Sequence, residues 1–323
     1  MIENTHLRGS LYAFFGILVL SFDSLLVRLA EAPSMTILFW RGLFIGLSLT
    51  ALTLIKQKKS PLKIIAENPR NYLFAGIIFA SAGFGFIFSV QNTTVANTVV
   101  ILSTSPFFSA LFSYLLNKEQ VRRHTLIAMG IMVGGTLIIV SSSVGTGHFL
   151  GDILAVATAA SMGLGQAYLR RHQALQRISI IMVNGYALAA IAVFFADLTP
   201  GAISLTVLAI MGLVQMPLAM VLFTNATRFI SAAEASMFMI VESILGPLLV
   251  LIFLGETFSV NTIYGGTMIV TALFFNTWRS SVAAGRTRQD FPNPNSSTIQ
   301  PPTGPHLSIN ARPPLSQKQQ LKA

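Results

Sequence analysis

Three charged side chains lie in otherwise apolar surroundings: Asp23 in GILVLSFDSLLVR, Arg41 in ILFWRGLF and Glu242 in MFMIVESILGPLL. Charged groups in a hydrocarbon setting are costly, so each needs a partner, a water-filled cavity or a function. Asp23 lies about five residues from one end of its apolar run and Arg41 about seven from the facing end of the next, roughly 8–10 Å deep in both cases. Adjacent antiparallel helices can bring them together. Such a pair either only neutralises two costly charges, or lets Arg41 offer its planar fork to a substrate carboxylate while Asp23 holds it or meets a cation. Glu242 sits near the middle of its run, with no Lys or His at comparable depth. Taking a proton from one side and releasing it to the other, it could couple proton flow to transport. It could equally receive a substrate ammonium, or simply hydrogen-bond a neighbouring helix as a neutral acid. An acid, an arginine and a second acid around one cavity suit a zwitterion such as an amino acid. Trp40, Phe84, Phe88 and Tyr168 could wall it, though in a chain with 24 Phe each ring is first a packing residue. Gln166, Asn184 and Gln215 are candidate polar lining, or interhelical hydrogen bonders.

The elements that position these residues follow from composition. Hydrophobic residues make up 53% of the chain and charged residues 10%, with mean hydropathy +0.68. Soluble domains carry about 25% charged residues, so this is a polytopic membrane protein. Ten apolar spans are expected near 9–28, 34–55, 72–91, 95–116, 125–143, 152–170, 178–197, 203–227, 232–254 and 261–278. A signal peptide is the competing reading of the first, but Asp23 interrupts its apolar region and Pro33 follows the would-be cleavage site. Residues 280–323 hold half of the 14 prolines and no apolar run, and read as a disordered cytoplasmic tail. With the N-terminus in the cytoplasm, all of the 21 Lys and Arg except Arg28 and Arg41 fall on the cytoplasmic side or in the tail. That asymmetry places both termini inside. It also disposes of nucleic acid as partner: the net charge of +10 is scattered over loop ends and the tail.

The chain repeats itself. ANTVVILSTSPFFSALFSYLLNKE, ending at Glu119, has the plan of AAEASMFMIVESILGPLLVLIFLGE, ending at Glu256, 137 positions later. GSLYAFFGILVLSFDSLLVR from Gly9 resembles GDILAVATAASMGLGQAYLR from Gly151, so Arg28 and Arg170 correspond. Asn184-Gly185 aligns with Arg41-Gly42 once one residue is inserted. The fold class is therefore all-α integral membrane: ten transmembrane helices as two inverted five-helix repeats, 1–144 and 145–279. Five is odd, so the halves insert in opposite orientation. Inverted repeats carry substrate near the midplane between halves and move it by alternating access. The scaffold is duplicated but the chemistry is not: Ser105 in one half stands where Glu242 stands in the other.

On these features the chain resembles the drug/metabolite transporter superfamily, and within it the EamA-type carriers. The resemblance covers residues 9–279 and rests on the paired halves, the small-residue approach to the fourth and ninth spans, the close at Leu254-Gly255-Glu256 and the Arg of Phe39-Trp40-Arg41-Gly42. It implies movement of small metabolites, often amino acids or related compounds. Such proteins commonly have Glu-Pro in the ninth span; here Ser243 follows Glu242, which makes Pro247 the nearer candidate for a bend. Further interruptions are expected at Pro106, Pro217 and Gly83-Phe84-Gly85, and close helix packing at Gly130, Gly134, Gly265 and Gly266.

A membrane enzyme is the rival class. All five histidines fall in loops or tails, and there is no metalloprotease HExxH, intramembrane Ser/His pair or nucleotide-binding loop. Without cysteine there is no disulfide or thiolate metal site. A channel is disfavoured because the few buried charges are of unlike sign. The expectation is a secondary carrier in a bacterial inner-membrane type of bilayer, monomeric or homodimeric, without cofactor or metal. It would export a small polar or zwitterionic metabolite, possession of a proton couple being one option. Import or exchange of a nucleotide-like or cofactor metabolite is the alternative.

Overall fold

The computed structural model describes residues 2–57, 60–118, 123–226, 229 and 238–290. Among these there is no strand; ten helical spans follow one another, five in each half. The first half holds Ile2–Ser21 continued by Asp23–Leu29, then Ser34–Gln57, Pro69–Asn92, Val95–Leu102 continued by Ser105–Asn117, and Arg123–Ser142. The second holds Phe149–Arg171, Arg177–Ala192, a span from Ala202 to Ala226, Met239–Leu254 and Val260–Asp290. A short helix, Pro61–Glu67, lies between the second and third spans. Residues 1–283 form one compact unit, and the second unit, 284–323, is described only to Asp290 as the end of the last helix. That helix runs past the boundary expected at 279. The stretch 291–323, Glu119 and the start of the ninth span at 232–237 lie outside the described residues.

Polarity is arranged for a bilayer. Leu137, Phe194, Ile203 and Ile252 are largely exposed, whereas Asp23, Arg41, Asn97, Asp152 and Gln215 are buried. In water this distribution would be unfavourable; against lipid, polar groups must find partners inside the bundle. Seven helices are long and apolar enough to span by length and composition alone, and two shorter apolar ones follow in the second half.

The halves pack with an internal two-fold relation. The third span lies on the sixth and the first on the eighth; the fourth lies on the sixth and the first on the ninth. The second and seventh cross each other directly, and glycine makes that crossing possible. A Cβ on Gly42 would lie 2.6 Å from the Gly185 carbonyl oxygen, and one on Gly185 would lie 2.7 Å from that of Gly42. Gly135 and Gly265 are reciprocal in the same way, at 2.7 and 2.5 Å. The close contact expected of Gly130 and Gly134 is corrected here: a Cβ on Gly130 would meet nothing within 4 Å and one on Gly134 only Met268. The helix presents its neighbouring face, and Gly135, to the tenth span. A second correspondence lies at the helix ends: Lys118 and Gly255 close the fourth and ninth spans, and both adopt the left-handed conformation, with φ of 54° and 67°.

Helix interruptions fall partly where proline suggested. The fourth span breaks at Ser103-Thr104, just before Pro106. The eighth opens into a π-helical segment, Ile210–Gln215, ahead of Pro217. The first span breaks at Phe22, beside Asp23. The third span does not break at Gly83-Phe84-Gly85; it is continuous, and Gly85 instead admits Thr158 of the sixth span. Pro247 sits inside one continuous helix, Met239–Leu254.

Candidate functional site

The helix breaks at Phe22 and at Ser103-Thr104 face one cavity of about 270 Å³ between the halves. Its wall includes Ser21, Asp23 and Ser24 from the first span and Ser103, Ser105 and Ser109 from the fourth. The second half contributes Gln166 and Arg170 from the sixth span, Glu242 and Ser243 from the ninth, and Asn276 and Thr277 from the tenth. Phe86 and Met162 supply apolar surface. The lining thus extends from the break beside Asp23 to Arg170 and Thr277, near the helix ends that carry most of the basic residues.

Asp23 and Arg41 meet as their depths suggested. Arg41 Nη2 donates to Asp23 Oδ2 at 2.7 Å, and both side chains are at least nine-tenths buried. The guanidinium also lies 5.8 Å from the centroid of the Phe86 ring. Only Asp23 of the pair lines the cavity. Its second oxygen, Oδ1, is buried with no hydrogen-bond partner, as is Arg41 Nε. Glu242 opens onto the same cavity from the other half. Next to it, the Ser243 and Ser103 hydroxyls are 2.5 Å apart, tying the ninth span to the break in the fourth. This bond stands where the resemblance would place a proline.

Of the other expected lining residues, Gln166 reaches the cavity and the rest do not. The Trp40 indole donates to the Asp197 carbonyl at 3.3 Å and packs on Phe44. Phe84 and Phe88 stack on each other, centroids 4.6 Å apart, within the main apolar core. The Tyr168 hydroxyl donates to Asn71 Oδ1 at 2.9 Å and its ring stacks on His172. Gln215 donates to the Val19 carbonyl at 3.2 Å. Asn184 lies in the seventh span, where its Oδ1 is buried without a partner. Packing claimed these rings because nothing in their spacing distinguishes a cavity face from a core face. The serine and threonine lining was the part missed; its one sequence signal is the hydroxyl cluster Ser103-Thr104-Ser105 at the helix break.

The opposite helix ends are fastened together by polar contacts. Asp152, with no solvent exposure, accepts from Thr93 Oγ1 at 2.6 Å, from Asn97 Nδ2 at 3.1 Å and from the Ser143 hydroxyl. Asn97 Oδ1 in turn accepts from Thr262 of the tenth span. Alongside, Glu256 accepts from the backbone N–H of Val95 at 2.9 Å, at the start of the fourth span, and pairs with Arg28 at 3.6 Å. Arg28 also donates to the Thr93 carbonyl at 2.8 Å. Gly255, in its left-handed conformation, ends the ninth span so that Glu256 can make this reach. Nearly all these bonds join one half to the other. No group of three or more His, Cys, Asp or Glu able to hold a metal occurs among the described residues.

Known proteins resemble this chain in sequence and in fold. The model of the EamA-like transporter family fits the chain twice, over residues 7–141 and 149–278. An uncharacterized transporter of Clostridium kluyveri is 23% identical over 269 residues, spanning 75% of this chain and 82% of that protein. A crystal structure of another protein superposes with a TM-score of 0.61 at 15% identity, covering 83% of this chain and 96% of its own, a likeness of fold alone.

Proposed function

This chain belongs to the EamA-like transporter family, and within it we propose a secondary carrier that exports a small polar or zwitterionic metabolite by alternating access. The observation that carries this reading is the cavity between the halves. Asp23 comes from one half and Glu242 from the other, so a ligand touching both is touched by two bodies that can rock about it. The lining reaches the basic helix ends, while the opposite ends are tied by the Asp152 and Glu256 contacts. The placement of Lys and Arg supports cytoplasmic basic ends and a bacterial inner-membrane type of bilayer, with both termini inside. On that orientation the lining reaches the cytoplasmic helix ends, the state in which an exporter loads its cargo and an importer releases it; we take it as the loading state of an exporter.

The lining chemistry favours a compact polar cargo over a nucleotide. Two carboxylates, several hydroxyls and a single guanidinium, Arg170, give no concentration of positive charge for the phosphates of a nucleotide, which call for several Arg and Lys. The test is a thermal-shift screen of the purified protein against amino acids, amines and nucleosides, followed by flux of the stabilising compound in proteoliposomes. Wild-type flux with loss in Glu242→Gln, at unchanged melting temperature, supports the reading. Turnover of a compound without any gradient would point to an enzyme instead.

A further inference from the structure

Asp23 has one oxygen committed and one not. Arg41 occupies Oδ2, and Oδ1 is buried without a hydrogen-bond partner, the neighbouring Gln215 amide donating to the Val19 carbonyl instead; Asp23 itself lines the cavity. A buried acceptor without a donor is unfavourable by about 1–3 kcal/mol, so the site is completed by whatever donates to it. Glu242 lines the same cavity and, among the described residues, has no hydrogen-bonding or ion-pairing partner. Asp23 is paired with Arg41, whereas no cation pairs with Glu242 among the described residues. Arg170 lines the cavity as well, but no ion pair joins it to Glu242 among the described residues. Oδ1 thus has no donor and Glu242 no cationic partner, and one group supplies both.

We propose that the cavity selects its cargo by an N–H-bearing ammonium group held between Asp23 Oδ1 and Glu242, with Arg41 as the positioning residue for Asp23 and not a receptor for the cargo's carboxylate. This rests on the reading of the cavity as the cargo site. Arg41 is spent on Asp23 and on the Phe86 face, and it does not line the cavity. A quaternary ammonium or sulfonium head has the charge but no N–H, and leaves Oδ1 unsatisfied. A neutral amide has an N–H but no charge for Glu242. Because the two acids belong to different halves, an ammonium between them also reports the presence of cargo to both.

The experiment uses the full chain in detergent and five probes: ethanolamine, N-acetylethanolamine, choline, serine and lactate. Binding is read by thermal shift and calorimetry in the millimolar range. Ethanolamine and serine bind, and the other three bind at least about tenfold more weakly, the scale of one charge-assisted hydrogen bond. Glu242→Gln weakens both amines by about tenfold or more. Arg41→Gln alone strands a buried carboxylate and can fail to fold, so the neutral pair Asp23→Asn with Arg41→Gln is the second variant. It weakens ethanolamine and serine equally, leaving their affinity ratio unchanged. A selective loss of serine in that variant overturns the positioning role of Arg41. Choline equal to ethanolamine, or no binding by either amine, overturns the ammonium site. Flux separates the two readings. Lactate flux blocked by Ser109→Trp sinks the ammonium assignment but leaves the carrier standing. Amine binding that needs Glu242, with no flux of any amine, leaves the site and sinks the carrier.

Discussion

Replacing Gly42 with alanine tests the internal two-fold relation at its tightest point. The added methyl would lie 2.6 Å from the Gly185 carbonyl oxygen, 3.0 Å from Leu188 Cβ and 3.1 Å from the Ala189 nitrogen. None of these is the end of a flexible side chain. Carbon contacts settle at about 3.5–4.0 Å, so the second and seventh spans must part by roughly 1 Å. Overpacking of this kind costs about 1–3 kcal/mol. Gly185→Ala meets the Gly42 oxygen at 2.7 Å and the Gly46 nitrogen at 2.9 Å, so it is expected to cost a similar amount. Gly130→Ala is the internal control. Nothing lies within 4 Å of its added methyl, and alanine in place of a mid-helix glycine gains about 0.5–1 kcal/mol. Thermal unfolding in detergent, read by intrinsic fluorescence, should show Gly42→Ala and Gly185→Ala lowered by several degrees and Gly130→Ala unchanged or raised. The double variant should cost less than the sum of the singles, because the first methyl already opens the gap that the second needs. Equal melting temperatures for Gly42→Ala and Gly130→Ala would refute the crossing.

Other parts of the structure give further expectations. Asp152→Leu leaves Thr93, Asn97 and Ser143 without their buried acceptor and should destabilise by about 3–5 kcal/mol, seen as poor accumulation and a lowered melting temperature; Asp152→Asn should recover part of the loss. Glu256→Gln is expected to change stability by less than about 1 kcal/mol, because its partner is partly exposed. The same change should increase labelling of a cysteine placed at Ser103, in a chain with none of its own, by a reagent added from the side opposite the basic ends. Lys118→Gly relieves a left-handed lysine and should stabilise by about 1 kcal/mol in the same unfolding assay.

Much of the scaffold was legible because lipid imposes a simple pattern. Apolar runs gave the spans, and the paired closes at Glu119 and Glu256 gave the halves, matched by the left-handed turns at Lys118 and Gly255. Depth counting alone was enough to bring Asp23 to Arg41, since helix rise is fixed and neighbouring spans are antiparallel. Helix phase was not legible. Whether Gly134 or Gly135 meets the tenth span depends on rotation of one helix about its axis, and an almost uniformly apolar span shows no face. The same ambiguity left Trp40, Phe84, Phe88 and Tyr168 open between cavity wall and packing, since their rings pack equally well in a core. Asp152 went unremarked because it lies at the start of a span, where an acid is unexceptional. Its importance comes from Thr93, Asn97 and Ser143, which converge on it from distant parts of the chain. Arg170 was placed at the cytoplasmic end of the sixth span and not among the lining residues, yet it lines the cavity, because the lining reaches that helix end.

The central claim is that cargo crosses through the cavity shared by Asp23 and Glu242. Counterflow in proteoliposomes tests it most directly, using the labelled compound that most stabilises the purified protein. Wild-type protein and Glu242→Gln would be compared at matched reconstitution and matched melting temperature. The account predicts transient accumulation of label against its gradient in the wild type and none above empty liposomes in the variant. Equal accumulation in both would contradict it.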